Sequence, residues 1–159
     1  MSHQYSNVNP DPTYPRPPFP PARPGPAVPV VGAIPQAATD GSAGYDLAAT
    51  CDVLVRENQV MMVEVDLKLA LPPGVAMLLL PRSSSAKNGL MLANTVGLID
   101  PDYRGPILVA LTARWGDVQV RKGDRVAQAL FVPFVRPVFQ QVAELGATGR
   151  GAGGFGSTG

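Results

Sequence analysis

Cysteine and histidine are almost missing from this chain of 159 residues, which contains one of each. A single cysteine, Cys51, excludes an internal disulfide framework and a zinc site made of cysteines, and it is compatible with a reducing compartment. The single histidine, His3, excludes a metal centre built from several histidines and the usual activation of a nucleophile by histidine. We therefore expect a cytoplasmic protein whose chemistry does not depend on these two residue types.

Charge is also scarce, since charged residues make up 16% of the chain and the formal net charge is +1. A chain so close to neutral has no bulk electrostatic reason to bind nucleic acid, and any phosphate-binding site must be local. No apolar run approaches the ~20 residues of a membrane span, and no basic segment followed by an apolar run begins the sequence. We expect a soluble protein that is not exported and has neither nucleic acid nor a membrane as its partner.

Helical periodicity is absent except in one short segment after Pro81. Glycine (17 residues) and proline (18 residues) are abundant instead, and they bound apolar or alternating segments that are typical of strands. These segments predict strands at 63–69, 75–80, 118–121, 125–132 and 138–145. The length fits one domain, which we place at 34–148, and the architecture predicted is all-β, a sandwich or jelly roll.

The two ends differ from this domain in composition. Residues 1–33 are rich in proline, which interrupts helices and inner strands, so we interpret them as a disordered arm or, alternatively, as a polyproline ligand. Only residues 28–34 are suited to dock as an edge strand. Residues 149–159 are rich in glycine and contain Arg150 and Phe155. Such an end is either a floppy tail or a segment that wraps phosphates with backbone amides, an arginine and a ring that can stack on a base.

The stretch at 94–105 gathers two aspartates, a tyrosine and an arginine around one turn. A proline and a glycine favour a tight reversal there, so the stretch predicts a β-hairpin with strands at 96–99 and 107–113. Asp100 and Tyr103 are expected at its rim. Charged groups at the rim of an apolar hairpin have no packing role, which makes them candidates for chemistry. The alternative is a merely solvated turn.

Two more polar residues interrupt apolar segments. Asp46 enters such a segment at 45–49, where a partly buried carboxylate needs partners. Gln128 shares a predicted strand face with Val126 and Leu130, where an amide needs a specific partner. Both residues are therefore candidates for a site.

The short helical segment after Pro81 begins with Arg82 and a run of serines. Ser83 or Ser84 can cap its start, and Gly89 can close its end. Free N–H groups, hydroxyls and an arginine suit an anion. The alternative is a simple serine-capped turn.

Five stretches, in this order, resemble the five motifs of the homotrimeric deoxyuridine triphosphatases, or dUTPases. They lie at 43–47, 81–84, 94–105, 123–128 and 150–158. Each is weak to moderate alone, but five in the family's order are specific. The resemblance implies a distorted jelly roll of the β-clip type, a homotrimer, Mg²⁺ as cofactor, and hydrolysis of dUTP to dUMP and pyrophosphate. That reaction keeps uracil out of DNA and supplies dUMP for dTMP synthesis.

The resemblance also implies a role for each matching residue. Asp100 is implied to be the general base for a water that attacks the α-phosphorus, and Asp46 to approach Mg²⁺ through water. Uracil and deoxyribose are implied to contact Asn94, Gly97, Leu98, Ile99, Tyr103, Leu108 and Phe155. The phosphates are implied to contact Arg82, Ser83, Ser84, Gln128, Arg150, Gly156 and Ser157. Each site is implied to take its second, third and fifth motifs from three different chains.

Two alternatives stay open at this point. Most family members have glycine where this chain has Ser84, and an Arg-Ser-Ser sequence also resembles the dCTP deaminases, so the first alternative is a dCTP deaminase or a bifunctional relative. Those enzymes need a glutamate on the strand after the central turn, and residues 107–111 contain none. The non-enzyme alternative is a nucleotide-dependent interaction protein that binds dUTP as a signal.

Overall fold

A computed structural model describes residues 25–154, and within this range the chain is made of short strands and one helical turn. The elements are β1 (Val30–Gly32), β2 (Gln36–Ala37), β3 (Tyr45–Ala48), β4 (Val53–Val55), β5 (Met61–Glu64), β6 (Leu67–Leu69), β7 (Val75–Leu80), α1 (Ser85–Asn88), β8 (Leu90–Leu92), β9 (Gly97–Ile99), β10 (Leu108–Ala113), β11 (Val118–Val120) and β12 (Arg125–Pro133). The predicted all-β class is confirmed. Nowhere in this range does a helix have the length and apolar character that a membrane crossing requires.

The strands form four antiparallel sheets around one core. The largest has the order β2-β3-β12-β7-β9, a second has the order β5-β10-β8, and the pairs β1-β6 and β4-β11 complete the described part. One hydrophobic cluster contains buried side chains from all four sheets, among them Leu67, Met77, Val120 and Leu111. A shared core of this kind makes the described residues one domain.

The predicted strand at 63–69 is two strands in different sheets. Val63, Val65, Leu67 and Leu69 are all buried, so the alternation predicted the covered face correctly. However, β5 pairs with β10 whereas β6 pairs with β1. The chain changes sheet at Asp66, whose backbone adopts a left-handed conformation with φ of 48°. This conformation bends the strand, which the polar and apolar pattern does not reveal.

The predicted hairpin around residue 100 is wrong in its pairing. The return strand exists as β10, but β10 pairs with β5 and β8, and β9 pairs with β7 in the five-stranded sheet. Gly97 permits this pairing, because a Cβ added there would lie 3.0 Å from the Cβ of Leu79. The residues between β9 and β10 therefore connect two sheets instead of closing a hairpin.

The strands predicted at 75–80, 118–121 and 125–132 are found as β7, β11 and β12, and the segment at 28–34 contains the edge strand β1. The strand predicted at 138–145 is not formed. Its side chains reach solvent, with Val138 96% and Phe139 92% exposed. In the described part of the chain, this segment pairs with no strand, so its apolar side chains do not pack against a sheet.

Candidate functional site

A row of residues across three adjacent strands brings Asp46, Gln128 and Arg82 together. In the strand register Gln128 of β12 lies between Asp46 of β3 and Leu80 of β7. Arg82 follows two residues after Leu80, in the turn that leaves β7. The five-stranded sheet thus assembles the first, second and fourth motifs within one chain.

Asp46 binds two arginines. Nε of Arg82 donates to Oδ1 of Asp46 at 2.7 Å, and Nη1 of Arg125 donates to Oδ2 at 3.1 Å. The side chains of Arg82 and Asp46 are only 19% and 17% exposed, which shields this charge-assisted pair from solvent. The expectation that Asp46 needs partners is met. Arg125 was missed from the sequence, because an arginine after a turn has the pattern of a solvated residue.

Gln128 is held by the turn after β7. Its Nε2 donates to the carbonyl oxygen of Pro81 at 2.9 Å, which supplies the specific partner expected for this amide. Gly44 packs directly against the other end of the amide, since a Cβ added to Gly44 would overlap Oε1 of Gln128. The side chain of Gln128 is thereby fixed between two segments.

The serines after Arg82 do not act as predicted. α1 begins at Ser85, and Ser84 occupies the capping position, but neither Ser83 nor Ser84 caps the helix with its side chain. The Oγ of Ser84 instead accepts a hydrogen bond from Nη1 of Arg82 at 3.1 Å. Gly89 closes the helix in a left-handed conformation, with φ of 71°, as predicted. Ser83 and Ser84 are exposed beside the arginine.

The second group of candidate residues surrounds β9. Gly97 is buried, Leu98 is 62% exposed and Ile99 is half-buried. Asn94 precedes the strand with an exposed side chain. β9 forms the last strand of the five-stranded sheet, so the backbone groups on its outer edge pair with no strand within residues 25–154.

Asp100 follows β9 and is exposed. Its carbonyl oxygen accepts from the backbone N–H of Tyr103 at 3.2 Å, which closes the turn. Nη1 of Arg104 donates to the carbonyl oxygens of Pro101 at 2.6 Å and Tyr103 at 2.8 Å, which ties the turn further. Arg104 was not among the predicted site residues, although it is part of the third motif.

Tyr103 lies across Gly105. Its hydroxyl donates to the carbonyl oxygen of Pro106 at 3.1 Å, and a Cβ added to Gly105 would overlap the tyrosine ring. Leu108 is 38% exposed and begins β10, directly after the segment that connects β9 to β10. The predicted residues of the third motif therefore form a turn that is held by its own hydrogen bonds.

Asp100 lies far from Arg82 within one chain. Ile99 lies opposite Met77 in the pairing of β9 with β7, and Arg82 is five residues further along the chain. At about 3.3 Å per extended residue, this separation is about 17 Å. One chain therefore does not bring Asp100 to the arginine of the second motif.

The remaining predicted residues belong to the tail. Arg150 is exposed, and its Nε donates to the carbonyl oxygen of Gly153 at 2.9 Å, a contact within the tail itself. Phe155, Gly156 and Ser157 lie outside the described residues.

No group of three or more histidine, cysteine, aspartate or glutamate residues that could hold a metal ion exists in the described range. Asp46, the predicted metal contact, already accepts from two arginines. Each carboxylate oxygen keeps a further lone pair, so Asp46 can still accept a hydrogen bond from a water molecule. These residues fit a metal ion that approaches through water and with other ligands of its own, and they do not fit a cage made of protein alone.

Comparisons with known proteins show the family of the chain. The dUTPase family model matches residues 31–159. Deoxyuridine 5'-triphosphate nucleotidohydrolases of Hydrogenovibrio crunogenus and Dinoroseobacter shibae are 45% and 46% identical to the chain, and each alignment covers 79% of it. The alignments cover 86% and 87% of those two proteins.

Solved structures share the fold. A dUTPase variant of Staphylococcus bacteriophage 80alpha, in complex with dUpNHpp, superposes with a TM-score of 0.76 at 23% identity, over 84% of this chain and 98% of the phage chain. A dUTPase variant of phage phi11 of S. aureus, which coordinates a structural Mg(II) ion, superposes with a TM-score of 0.68 at 21% identity. That alignment covers 74% of this chain and 97% of the phi11 chain.

Proposed function

We infer that this chain, which belongs to the dUTPase family and is a dUTP diphosphatase, builds its active site from residues of neighbouring chains, with Asp100 of one chain beside Arg82 of another. The observation that carries this proposal is the register of β9 on β7, which puts Ile99, the residue before Asp100, about 17 Å from Arg82 of the same chain at the usual rise of a strand. A single nucleotide must contact both groups. Each group therefore binds a different part of the nucleotide.

The first group binds the phosphates. Arg82 uses Nε and Nη1 for its own chain, which leaves Nη2 as the free end of its fork toward an anion. The hydroxyls of Ser83 and Ser84 are exposed beside it, and the second N–H of the Gln128 amide adds a donor. Arg150 contributes a further charge, and Gly156 and Ser157 contribute donors from the tail.

The second group binds the base and the sugar. Within the segment Gly97–Ile99, the backbone N–H and C=O groups of β9 that point away from β7 are offered to the polar edge of uracil, in the way that a strand adds to a sheet edge. Asn94 adds a side-chain amide, and Phe155 stacks on the base. A backbone so close to the ring leaves no room for the methyl group of thymine.

Tyr103 and Leu108 shape the part of this group that contacts deoxyribose. The ring of Tyr103 is fixed by its hydrogen bond to Pro106, so it presents a rigid surface that disfavours a 2′-hydroxyl. Leu108 is partly exposed on the returning strand and provides an apolar contact. Together they select a deoxynucleotide.

Asp100 acts as the general base. Its exposed carboxylate, at the end of the base-binding strand, accepts the proton of a water molecule whose oxygen attacks the α-phosphorus. The new P–O bond gives dUMP, while the bond from the α-phosphorus to the bridging oxygen breaks and pyrophosphate leaves with that electron pair. The acceptor must lie within hydrogen-bond reach of the water, which fixes the required position of Asp100.

Mg²⁺ bound to the triphosphate neutralises its oxygens and supplies electrostatic stabilisation when present. Asp46 is the carboxylate that would contact the hydrated ion, through water, because its oxygens keep lone pairs beyond those used by the arginines. Its second task is to hold the phosphate-binding arginine. We place this chemistry in the cytoplasm, where the exposed Cys51 stays reduced.

The complete site forms only when three chains assemble into a homotrimer. One chain supplies Asp100 and the base-binding strand, a second supplies Arg82 with its serines, and a third supplies the tail with Arg150 and Phe155. Closure of the tail over bound nucleotide excludes water other than the attacking molecule.

A substrate panel tests this function. Pyrophosphate release is measured with dUTP, dTTP, UTP and dCTP, each with and without Mg²⁺. We expect efficient release from dUTP with Mg²⁺ and poor release from the other three. Ammonia release from dCTP would instead identify a deaminase, and equal rates with dUTP and UTP would contradict the role of Tyr103.

A further inference from the structure

We propose that Ser84 is a positioning residue that fixes the orientation of the Arg82 guanidinium. The proposal rests on the proposed function of Arg82 as a phosphate ligand. Ser84 has the position of a helix cap, but its hydroxyl oxygen accepts from Nη1 of Arg82 at 3.1 Å and makes no capping hydrogen bond. The hydroxyl of Ser84 therefore contacts the side chain of Arg82 instead of an N–H group of the helix.

The contacts of Arg82 hold its guanidinium from two sides. Nε donates to Asp46, and on the opposite side Nη1 donates to Oγ of Ser84 and, at 3.4 Å, to the carbonyl oxygen of Arg125. Among residues 25–154, Nη2 has no hydrogen-bond partner. The protein therefore occupies Nε and Nη1 and leaves the N–H groups of Nη2 for a ligand.

Asp46 and Ser84 have different effects on this arrangement. The hydrogen bond of 2.7 Å to Asp46 anchors the guanidinium at Nε–H. The oxygen of Ser84 anchors the opposite side at Nη1, so the plane is held at two points and not at one. The long contact to the Arg125 carbonyl is too weak to do this alone.

A guanidinium whose plane is already set loses less freedom when a phosphate binds. This gain is present for bound dUTP and for the transition state alike, so it affects KM and leaves kcat unchanged. A net hydrogen-bond contribution of ordinary size corresponds to about a three- to tenfold change in KM. Because Ser84 is exposed, its loss removes little packing and leaves thermal stability unchanged.

The first test compares Ser84→Ala with Ser84→Thr in the full-length enzyme. Alanine removes the oxygen, whereas threonine keeps it as a matched control. We expect alanine to raise KM for dUTP about three- to tenfold with the same kcat and melting temperature, and threonine to restore most of the loss. An unchanged KM in Ser84→Ala, or a lowered melting temperature that explains the loss, would overturn the proposal.

The second test repeats Ser84→Ala in an Arg82→Lys background, since lysine lacks the fork that Ser84 holds. We expect the effect of Ser84→Ala to become much smaller there, since only a direct contact of the Ser84 hydroxyl with phosphate would remain. An effect of the same size in both backgrounds would mean that Ser84 acts only through that direct contact, and it would overturn the proposal while Arg82 keeps its proposed function. If Arg82→Lys alone left KM unchanged, the phosphate-binding function of Arg82 would fail first, and the proposal with it.

Discussion

Asp100 shows how a single residue can be placed for chemistry without burial. Its carboxylate is exposed, but the backbone that carries it is fixed by the turn hydrogen bond to Tyr103 and by β9 before it. The substitution Asp100→Asn keeps the shape and removes the proton acceptor. We expect turnover of dUTP to fall by roughly 10²-fold or more, while affinity for the non-hydrolysable analogue dUpNHpp is retained. Single-turnover kinetics and calorimetric binding measure the two quantities, and an undiminished rate would remove Asp100 from its role.

The absence of a side chain at Gly44 leaves room for the amide of Gln128. A Cβ at this position would overlap Oε1 of Gln128, so Gly44→Ala must displace the amide from Pro81. We expect a higher KM for dUTP and a loss of stability of about 1–3 kcal/mol, as for other overpacked contacts. Gly41→Ala is the matched control, because a Cβ there meets nothing within 4 Å. Denaturant unfolding and steady-state kinetics compare the two, and equal behaviour of both variants would contradict the assigned contact.

The sequence identified the polar residues of the site more reliably than the residues that they contact. Asp46 and Gln128 were found because a polar side chain in an apolar segment must be paired, and both are paired. Arg125 was missed because an arginine beside a turn needs no partner to be stable. The capping role given to Ser83 or Ser84 was wrong, since a nearby guanidinium competes with the helix N–H groups for the hydroxyl.

Whole elements were less predictable, because a pattern of alternating residues shows which face of a strand is covered but not which strand lies beside it. The segment at 63–69 has the expected buried face, but it divides between two sheets at Asp66. The backbone there is left-handed, and because the residue is not glycine the sequence gives no sign of this conformation. The residues around Asp100 predicted a turn correctly. The strands on its two sides belong to different sheets, a fact set by distant residues such as Leu79.

The segment at 138–145 has a strand pattern and large exposed apolar side chains, including Phe139 at 92% and Leu145 at 89%. We expect it to pack against a neighbouring chain, which would bury these side chains. Loss of a phenylalanine contact worth about 1.5–3 kcal/mol should then weaken assembly on the order of 10- to 100-fold. Phe139→Ser is the test and Val60→Ser, at an exposed loop position, the control. Sedimentation at several concentrations measures dissociation, and equal assembly of both variants would contradict this packing.

At the scale of the whole molecule, we expect the site to be completed between chains. Sheet geometry joins Asp46, Arg82 and Gln128 and keeps Asp100 at the other end of β7. Composition and periodicity gave no indication of this separation. The family resemblance implied it, and the strand register gives it a physical cause.

A mixing experiment measures this claim most directly. Asp100→Asn and Arg82→Ala are each expected to be inactive alone, and the two variants are co-expressed in equal amounts or dissociated and reassembled together. If each site takes the two residues from different chains of a trimer, about a quarter of all sites in the randomly assembled mixture receive both native residues, because the two choices are independent. We predict recovery of about a quarter of the wild-type rate. A mixture as inactive as its components would show that Asp100 and Arg82 must come from the same chain, and it would contradict the account.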